Sequence, residues 1–168
     1  MIDMQTQLDL FKLISKNIKE DVTAFAFGGT AMMFYGYKNT TKDIDIIFKD
    51  GKDQADFINA ITKLGYEKCS LKGVYNDEKQ KQKGKPVMYT RGDERFDIFL
   101  IKIFGTKLTE DMEKKIFARH DFINKDTALI MNVLSKEDII LLKAVTERER
   151  DFDDILTIIE KEKNIDWE

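Results

Sequence analysis

The sequence predicts an α+β fold, with a mixed β-sheet flanked by helices and a C-terminal helical extension. Stretches with helical and strand periodicity alternate up to residue 65, and two amphipathic helical stretches close the chain. The 168 residues suffice for one domain with a substantial core. We therefore expect a core at residues 1–105 and a helical extension at residues 106–168, packed together as one compact unit.

The N-terminal part should alternate helices with strands. A helix is predicted at residues 5–19, where leucine, isoleucine and phenylalanine recur at helical spacing. The apolar residues 24–27 suit a buried strand, and a second strand is expected at residues 43–48. Asp53 is the expected N-cap of a helix that ends near residue 64.

A double glycine separates the first strand from a short predicted helix. Gly28 and Gly29 permit a tight turn, Thr30 should begin the helix, and Gly36 should end it. The free N–H groups and the macrodipole at such a helix N-terminus favour a phosphate group. This stretch is therefore a candidate phosphate-binding site.

The second strand carries two aspartates. Its alternation with a period of two puts Asp43 and Asp45 on one face, and Ile44 and Ile46 on the other. Adjacent carboxylates repel each other unless a cation lies between them, and their oxygens are ligands that suit Mg²⁺ or Mn²⁺. The alternative is that one aspartate caps a turn while the other faces water.

The middle of the chain contains a polar segment and a predicted hairpin. A short strand is expected at residues 66–71, and residues 72–85 are rich in lysine. This lysine-rich segment is either a solvated loop or a mobile basic loop that meets RNA phosphates. Residues 86–90 and 95–101 should pair across the turn at residues 91–94.

The second strand of this hairpin holds one carboxylate, Asp97, among apolar residues. An unpaired charge at such a position is costly unless a cation meets it. That cation is either a metal ion or Arg95 on the same face of the strand. Asp93 and Glu94, in the turn, are the fallback candidates if Asp97 points away.

Beyond residue 105 the prediction becomes mainly helical. Thr109 can cap a helix through residue 119, and residues 121–134 are predicted to form two short extended pieces. Ser135 begins the next helix in a variant of the capping box. A last helix is expected at residues 150–161, where apolar residues share one face.

The helix after Ser135 carries a lysine with two interpretations. Lys143 is flanked by Leu142 and Ala144, so its ammonium group either reaches a phosphate or extends past apolar neighbours into water. The charged residues that follow, including Arg148 and Arg150 but not Asp151, are expected to form surface ion pairs without a chemical role.

Composition excludes several classes of protein. A net charge of −3 argues against a nucleic-acid binder that uses its whole surface. The single Cys69 cannot form an internal disulfide, which favours a reducing cytoplasm, and no stretch has membrane-spanning length, so no membrane partner is expected. The only histidine, His120, has no metal-ligand spacing around it and is expected to be structural or exposed. The phosphate-binding motifs G-x-x-x-x-G-K-[ST] and G-x-G-x-x-G are both absent.

The double glycine and the aspartate pair together resemble the signature of the nucleotidyltransferase superfamily. In this chain the pattern reads Gly28-Gly29-Thr30, a spacer, and then Thr41-Lys42-Asp43-Ile44-Asp45. Within the superfamily, it is similar to small stand-alone members related to the abortive-infection nucleotidyltransferase toxins of type IV toxin–antitoxin systems. Residues 135–155 are similar to the helical tail of these small proteins.

The resemblance implies a DNA polymerase β-like fold and the transfer of a nucleoside monophosphate from a nucleoside triphosphate to a hydroxyl acceptor. The implied cofactor is Mg²⁺ or Mn²⁺, held by the catalytic carboxylates Asp43, Asp45 and Asp97. The implied acceptor is RNA, such as a tRNA end, or protein, and an antitoxin is the implied partner. The residues implied for nucleotide binding are Gly28, Gly29, Thr30 and Lys143, with the backbone N–H groups of the glycines and the hydroxyl of Thr30 as phosphate contacts.

Two rival functions are consistent with parts of the pattern. One is a catalytically inactive nucleotide-binding or regulatory protein on the same fold, such as a sensor or an antitoxin. Three converging carboxylates weigh against it, because a binding module has no evident need for them. The other is a metal-dependent glycosyltransferase, which also uses Asp-x-Asp, but the glycine pair before a helix and the short chain fit that class poorly.

Overall fold

The computed structural model describes residues 1–168 and confirms a mixed sheet flanked by helices. The strands are β1 (Ile2–Asp3), β2 (Val22–Ala26), β3 (Thr40–Thr41), β4 (Asp43–Phe48), β5 (Glu67–Cys69), β6 (Val87–Arg91), β7 (Glu94–Leu100), β8 (Lys102–Ile103), β9 (Thr106–Lys107), β10 (Ala118–Asn124) and β11 (Thr127–Val133). The helices are α1 (Met4–Ser15), α2 (Gly28–Tyr35), α3 (Gly51–Lys63), α4 (Asp77–Lys81), α5 (Glu110–Lys114), α6 (Lys136–Thr146) and α7 (Glu149–Lys161).

Nine strands form the main sheet, whose central path runs β10-β11-β2-β4-β7-β6-β5. Strand β4 pairs parallel with β7 and antiparallel with β2, and β11 pairs parallel with β2. Strands β8 and β9 extend from the end of β7, while β1 and β3 form a separate two-stranded sheet. The aspartate strand β4 is therefore covered on both edges in the centre of the sheet.

The two faces of the sheet bury different clusters. Ile44 and Ile46 of β4 point into the larger cluster, which α1 and α3 cover. Ile47 points to the opposite face and packs in a smaller cluster with Phe99 of β7. By strand alternation, Asp43 and Asp45 lie on the same face as Ile47. The carboxylates thus share the face of the smaller cluster.

The N-terminal elements follow the prediction with shifted ends. Helix α1 is capped by Asp3, whose side chain accepts a hydrogen bond from the N–H of Thr6. Gly36 ends α2 with a φ of 77°, as expected of a left-handed C-cap. The predicted N-cap of the third helix is wrong: Asp50 caps α3, and Asp53 instead accepts a hydrogen bond from the N–H of Thr23 in β2.

The hairpin of β6 and β7 is confirmed, but the lysine-rich segment is not a free loop. Within it Tyr75 is buried, and residues 77–81 form the helix α4. Lys79 lies over the ring of Phe104 and donates a hydrogen bond to the carbonyl of Val145 at 3.0 Å. Tyr75 and Lys79 therefore anchor the segment to the fold, while Lys81, Lys83 and Lys85 are exposed, in line with the solvated alternative.

The region after residue 105 departs from the predicted helical extension. Helix α5 ends at Lys114, not residue 119, and β10 and β11 join the main sheet beside β2. The two extended pieces predicted at residues 121–134 are confirmed as this hairpin. One face of this hairpin packs against α1, where the Phe122 ring contacts the Phe11 ring. The sheet is thus completed by strands from the second part of the chain.

The C-terminal helices α6 and α7 pack against each other and lie beside α2. Ser135 caps α6 as predicted: its hydroxyl accepts from the N–H of Asp138 and donates to the Asp138 carboxylate. His120 stacks on Phe34 at a ring separation of 4.6 Å, in line with a structural role. None of the helices has the length and apolar character needed to cross a bilayer.

Candidate active site

The register of two parallel strands brings the predicted carboxylates together. Asp45 of β4 lies opposite Asp97 of β7, and Asp43 lies opposite Arg95. All three aspartates are buried or nearly so, with exposed fractions of 6% for Asp43, 7% for Asp45 and 0% for Asp97. The sequence places the first pair two residues apart, but only the sheet pairing adds the third carboxylate.

Asp45 is the carboxylate without a protein partner. Its side-chain oxygens accept no hydrogen bond and form no ion pair, although they retain some accessible surface toward a cleft. Burial, together with the neighbouring charges of Asp97 and Asp43, raises the pKa of Asp45 to about 7. When Asp45 is ionised, its carboxylate therefore has no counter-ion in the protein.

Arg95 neutralises the other two carboxylates. Its Nη2 lies 2.6 Å from Asp43 Oδ2, and its Nε lies 2.7 Å from Asp97 Oδ1. The alternative that the sequence left open for Asp97, a salt bridge to Arg95, is therefore the arrangement observed. In this conformation no three carboxylates are arranged so that they would share one metal ion.

The glycine pair shapes the same site, and α2 begins at Gly28 rather than at Thr30 as predicted. Gly28 has a φ of +58°, and a Cβ atom there would overlap the Asp45 carboxylate. A Cβ atom on Gly29 would collide with the hydroxyl of Thr41. The absence of side chains thus lets the start of α2 pack closely against β4 at Gly28 and against β3 at Gly29. No side chain caps this helix end, and Gly29 lines the cleft into which Asp43 and Asp45 open.

The expectation that the Thr30 hydroxyl contacts phosphate is not met. Thr30 is completely buried, and its hydroxyl accepts a hydrogen bond from the backbone N–H of Asp45 at 2.9 Å. Its role in this structure is to fasten α2 to the aspartate strand. The hydroxyl points to the backbone of β4 because α2 packs against that strand.

Lys143 is held inside the site by two aspartates of α7. Its Nζ lies 2.9 Å from Asp151 Oδ1 and 2.7 Å from Asp154 Oδ2, and its side chain is only 6% exposed. Lys143 does not extend into water, so the snorkelling alternative is wrong. Asp154 also pairs with Lys38, at 2.8 Å. Burial alone would raise the pKa of Asp151, but the charges of Lys143 and Arg148 outweigh it and lower that pKa.

Three further residues belong to the site and were not assigned to it from the sequence. Arg150 Nη2 lies 2.9 Å from Asp43 Oδ2, so Arg150 pairs with a residue of the site rather than with its neighbours on the helix surface. Tyr75 donates its hydroxyl to Asp97 Oδ2 at 2.9 Å. Arg148 lies over the Tyr75 ring and pairs with Asp151. The i, i+3 spacing of Arg148 and Asp151 is a signal for their pairing, whereas nothing in the sequence connects Tyr75 with Asp97.

The candidate site opens into a cleft of about 220 Å³ between α2, β4 and the C-terminal helices. Asp43 and Asp45 line this cleft, whereas Asp97, which is fully buried, does not. One lining residue is hydrophobic, and the rest are charged, hydroxyl-bearing or glycine. Five basic side chains face four carboxylates there. The charged lining residues are Lys38, Lys42, Lys143, Arg148, Arg150, Asp43, Asp45, Asp151 and Asp154.

The donor set suits a divalent cation of the Mg²⁺ type. Its candidate ligands are all carboxylate oxygens, which are the hard donors that Mg²⁺ and Mn²⁺ prefer. Asp45, which has no partner, would be the anchoring ligand. Asp43 would become available once Arg95 and Arg150 turned away from it, and Asp97 once Arg95 did so, with one oxygen still bound by the Tyr75 hydroxyl. The residues present therefore fit such an ion, with Arg95 as the internal competitor.

Comparison with known proteins supports the fold. No described protein family and no curated protein matches the chain. Two solved structures of the aminoglycoside nucleotidyltransferase ANT(2'')-Ia are similar to it, each at 14% sequence identity over 94% of this chain. One is a crystal structure in complex with adenylyl-2''-tobramycin, with a TM-score of 0.51 over 88% of that chain. The other is a solution structure of this antibiotic-resistance factor, with a TM-score of 0.54 over 84% of that chain.

The chain therefore has the nucleotidyltransferase fold. At this level of identity the likeness establishes the architecture and leaves the reaction to be argued from the site.

Proposed function

We propose that this protein is a metal-dependent nucleotidyltransferase that moves a nucleoside monophosphate from a nucleoside triphosphate to a hydroxyl acceptor. The observation that carries the proposal is the convergence of Asp43, Asp45 and Asp97 on one face of adjacent strands, beside the uncapped N-terminus of α2. Burying three carboxylates together opposes folding, so a charge-dependent function is a good reason for the arrangement.

The protein groups divide into two sets around the triphosphate. The first N–H groups of α2, at Gly28 and Gly29, would bind phosphate oxygens together with Lys143. The carboxylates Asp45 and Asp43 would hold Mg²⁺ or Mn²⁺, and Asp97 would complete the ligand set. The ion would supply positive charge to the phosphates and acidify the acceptor hydroxyl.

The transfer is a displacement at the α-phosphorus. A bond forms between the acceptor oxygen and the α-phosphorus as the bond from that phosphorus to the β-bridging oxygen breaks. Pyrophosphate leaves with the electron pair, and the hydroxyl proton passes to solvent. Positioning and electrostatic stabilisation are the contributions expected of the protein in such a reaction.

The charge of the cleft favours an anionic acceptor such as the end of an RNA. Lys42 is exposed and forms no ion pair, and half of the Arg150 side chain is exposed at the mouth of the cleft. A polycationic acceptor would meet these groups with repulsion. We therefore rank RNA, including a tRNA end, before protein and before an aminoglycoside of the kind adenylylated in the structural neighbour.

The cellular setting follows from the family resemblance alone. We propose a cytoplasmic toxin of a toxin–antitoxin pair, with the antitoxin as a protein partner. The test is overexpression with and without the product of the neighbouring gene. Growth that is unchanged by overexpression would contradict this setting while leaving the transferase reaction in place.

The reaction is tested by label transfer from each of the four α-labelled nucleoside triphosphates, with Mg²⁺ or Mn²⁺. The acceptors offered are total tRNA, cell protein and tobramycin. The control is the double variant Asp43→Ala/Asp45→Ala, whose folding is checked by circular dichroism. We expect label in tRNA with the wild type alone. Label in another acceptor would change the substrate class, and equal label with the double variant would contradict the assigned site.

A second candidate is a nucleotide sensor without transferase activity. The ion pairs of Arg95 with Asp43 and Asp97 favour it, because they neutralise two carboxylates without a metal. Calorimetry separates the two functions. Metal-dependent triphosphate binding that the double variant abolishes, in the absence of label transfer to any acceptor, would favour the sensor.

A further inference from the structure

Arg148 presents a pair of unused hydrogen-bond donors beside the candidate catalytic carboxylates. Its Nε donates to Asp151 Oδ2 at 2.8 Å, but neither terminal nitrogen has a partner in the protein. Nη1 is buried, whereas Nη2 retains accessible surface where Arg148 lines the cleft. Buried guanidinium nitrogens are normally hydrogen-bonded, so an orphaned one needs a reason.

The position of this guanidinium is set from two sides. The carboxylate of Asp151 orients its Nε edge, and Asp151 is itself held by Lys143 and by the Thr146 hydroxyl. The Tyr75 ring supports its face at 5.1 Å, while the Tyr75 hydroxyl is bound to Asp97. The side chain is thus held in place while neither terminal nitrogen is hydrogen-bonded, and only Nη2 is accessible.

The electrostatic surroundings keep Arg148 charged. Burial acts to lower its pKa, but the neighbouring Tyr75, Asp45 and Asp151 outweigh burial and raise that pKa above its usual value. Arg148 and Asp45 influence each other without forming an ion pair. Arg148 lines the same cleft as Asp43 and Asp45, the carboxylates that would hold a metal–phosphate complex.

We propose that Arg148 binds the β- and γ-phosphate groups of the nucleoside triphosphate, first through the accessible Nη2 and then through Nη1, which leaves its buried position to complete the contact. The planar fork of a guanidinium matches two phosphate oxygens at once, which an ammonium group cannot do. This inference rests on the proposed nucleotidyltransferase function and adds a residue to its phosphate site. As the bond between the α-phosphorus and the bridging oxygen breaks, Arg148 stabilises the charge that grows on the departing pyrophosphate.

The arrangement gives Asp151 a positioning role. Its carboxylate holds Lys143 through Oδ1 and Arg148 through Oδ2, so one side chain sets the spacing of two phosphate-binding cations. Arg148 and Asp151 are three residues apart at the start of α7, and both line the cleft. This spacing allows Asp151 to bind Arg148 within the first turn of the helix.

The test measures binding of inorganic tripolyphosphate in the presence of Mg²⁺ by isothermal titration calorimetry. This probe contains the phosphate chain without the nucleoside, so its binding does not depend on which base the protein selects. The variants are Arg148→Gln and Arg148→Lys. The matched control is Arg119→Gln, because Arg119 pairs with Asp121 at the same 2.8 Å but lies exposed on β10.

We expect Arg148→Gln to weaken tripolyphosphate binding at least tenfold and Arg119→Gln to leave it unchanged. Arg148→Lys should also bind more weakly than the wild type, since it keeps the charge but lacks the fork. Thermal unfolding of each variant shows whether it is folded, and Arg148→Lys decides the matter if Arg148→Gln does not fold.

Two results would overturn the inference, and only the second would also contradict the proposed function. Folded Arg148 variants with wild-type affinity would remove Arg148 from the phosphate site and leave the transferase proposal intact. A wild-type protein that binds neither tripolyphosphate nor any of the four nucleoside triphosphates with Mg²⁺ would remove the proposed function itself.

Discussion

Arg95 Nη2 lies 2.6 Å from Asp43 Oδ2, across the parallel pairing of β7 with β4. The same guanidinium binds Asp97 through its Nε. The Arg95 guanidinium thus binds two of the carboxylates that would otherwise be ligands for a divalent ion. Metal binding and the Arg95 ion pairs are therefore expected to compete for the same carboxylates.

The substitution Arg95→Gln tests this competition. In EDTA we expect a loss of about 3 kcal/mol in the free energy of unfolding, because Asp97 loses its counter-charge and Asp43 keeps only Arg150. Mn²⁺ should restore more stability to the variant than it adds to the wild type, since the ion no longer has to displace Arg95. Urea unfolding with EDTA and with Mn²⁺ measures both effects. Arg119→Gln is the control, and equal Mn²⁺ stabilisation of the wild type and Arg95→Gln would contradict the competition.

Asp45→Asn should stabilise the metal-free protein while abolishing transfer. At pH 8 the wild type carries an ionised, unpaired Asp45 beside two other carboxylates, and the amide removes that repulsion. We expect a gain of about 1–2 kcal/mol in the free energy of unfolding in EDTA. The control is Asp126→Asn, which neutralises an exposed carboxylate at the tip of the β10–β11 hairpin. A loss of stability in Asp45→Asn would show that the ionised carboxylate is better satisfied than its contacts indicate.

Gly28→Ala separates backbone strain from steric overlap with Asp45. Gly92, in the turn between β6 and β7, has nearly the same φ of 61° but open space where a Cβ would be. Gly92→Ala should therefore cost only the left-handed conformation, about 1–2 kcal/mol. Gly28→Ala carries the same strain plus the collision, and we expect a larger loss together with weaker triphosphate binding. Chemical denaturation of both variants measures the difference, and equal losses would remove the steric argument.

Asp151→Asn should produce a pH-dependent loss of stability. The pKa of Asp151 in the folded protein lies below its usual 3.8, so its ionised form stabilises the fold above about pH 4. That contribution disappears as the pH falls through the lower folded value. The variant should be less stable than the wild type by about 3 kcal/mol at pH 7, since Lys143 loses a buried partner, and the difference should shrink toward pH 3.

The control for Asp151→Asn is Asp121→Asn, which breaks the exposed pair with Arg119. Its effect at pH 7 is expected to be below about 1 kcal/mol. Urea unfolding at several pH values between 7 and 3 gives both curves. A difference for Asp151→Asn that stays constant over this range would show that packing, rather than charge, accounts for its effect.

Local patterns in the sequence predicted most of the elements and several members of the site. The apolar alternation around Asp43 and Asp45 was sufficient to predict β4, and the polar cap at Ser135 was sufficient to predict the start of α6. The cap of α3 was misassigned because Asp50 and Asp53 are both acceptable N-caps at close spacing. The end of α5 was missed because Ala118 and Arg119, which were predicted to be helical, pair with β11 instead.

The residues that sequence reasoning assigned incompletely depend on contacts between distant segments. Thr30 was predicted to face a phosphate, but the packing of α2 on β4 turns its hydroxyl to the Asp45 backbone. Tyr75 lies in a polar segment whose composition indicated solvent, yet its ring fills a position below Arg148 and its hydroxyl binds Asp97. Such contacts join residues that periodicity cannot relate.

The sequence by itself determined the alternation of helices and strands, the glycine pair before a helix, and the two aspartates on one strand face. These features follow from backbone geometry within a few residues, so they can be read locally. Only the tertiary structure decided that Asp97 lies opposite Asp45, that Arg95 neutralises two of the three carboxylates, and that α6 and α7 bring Lys143 and Arg148 to the cleft. Strand register and helix packing set these distances, and both depend on burial across the whole fold rather than on neighbouring residues.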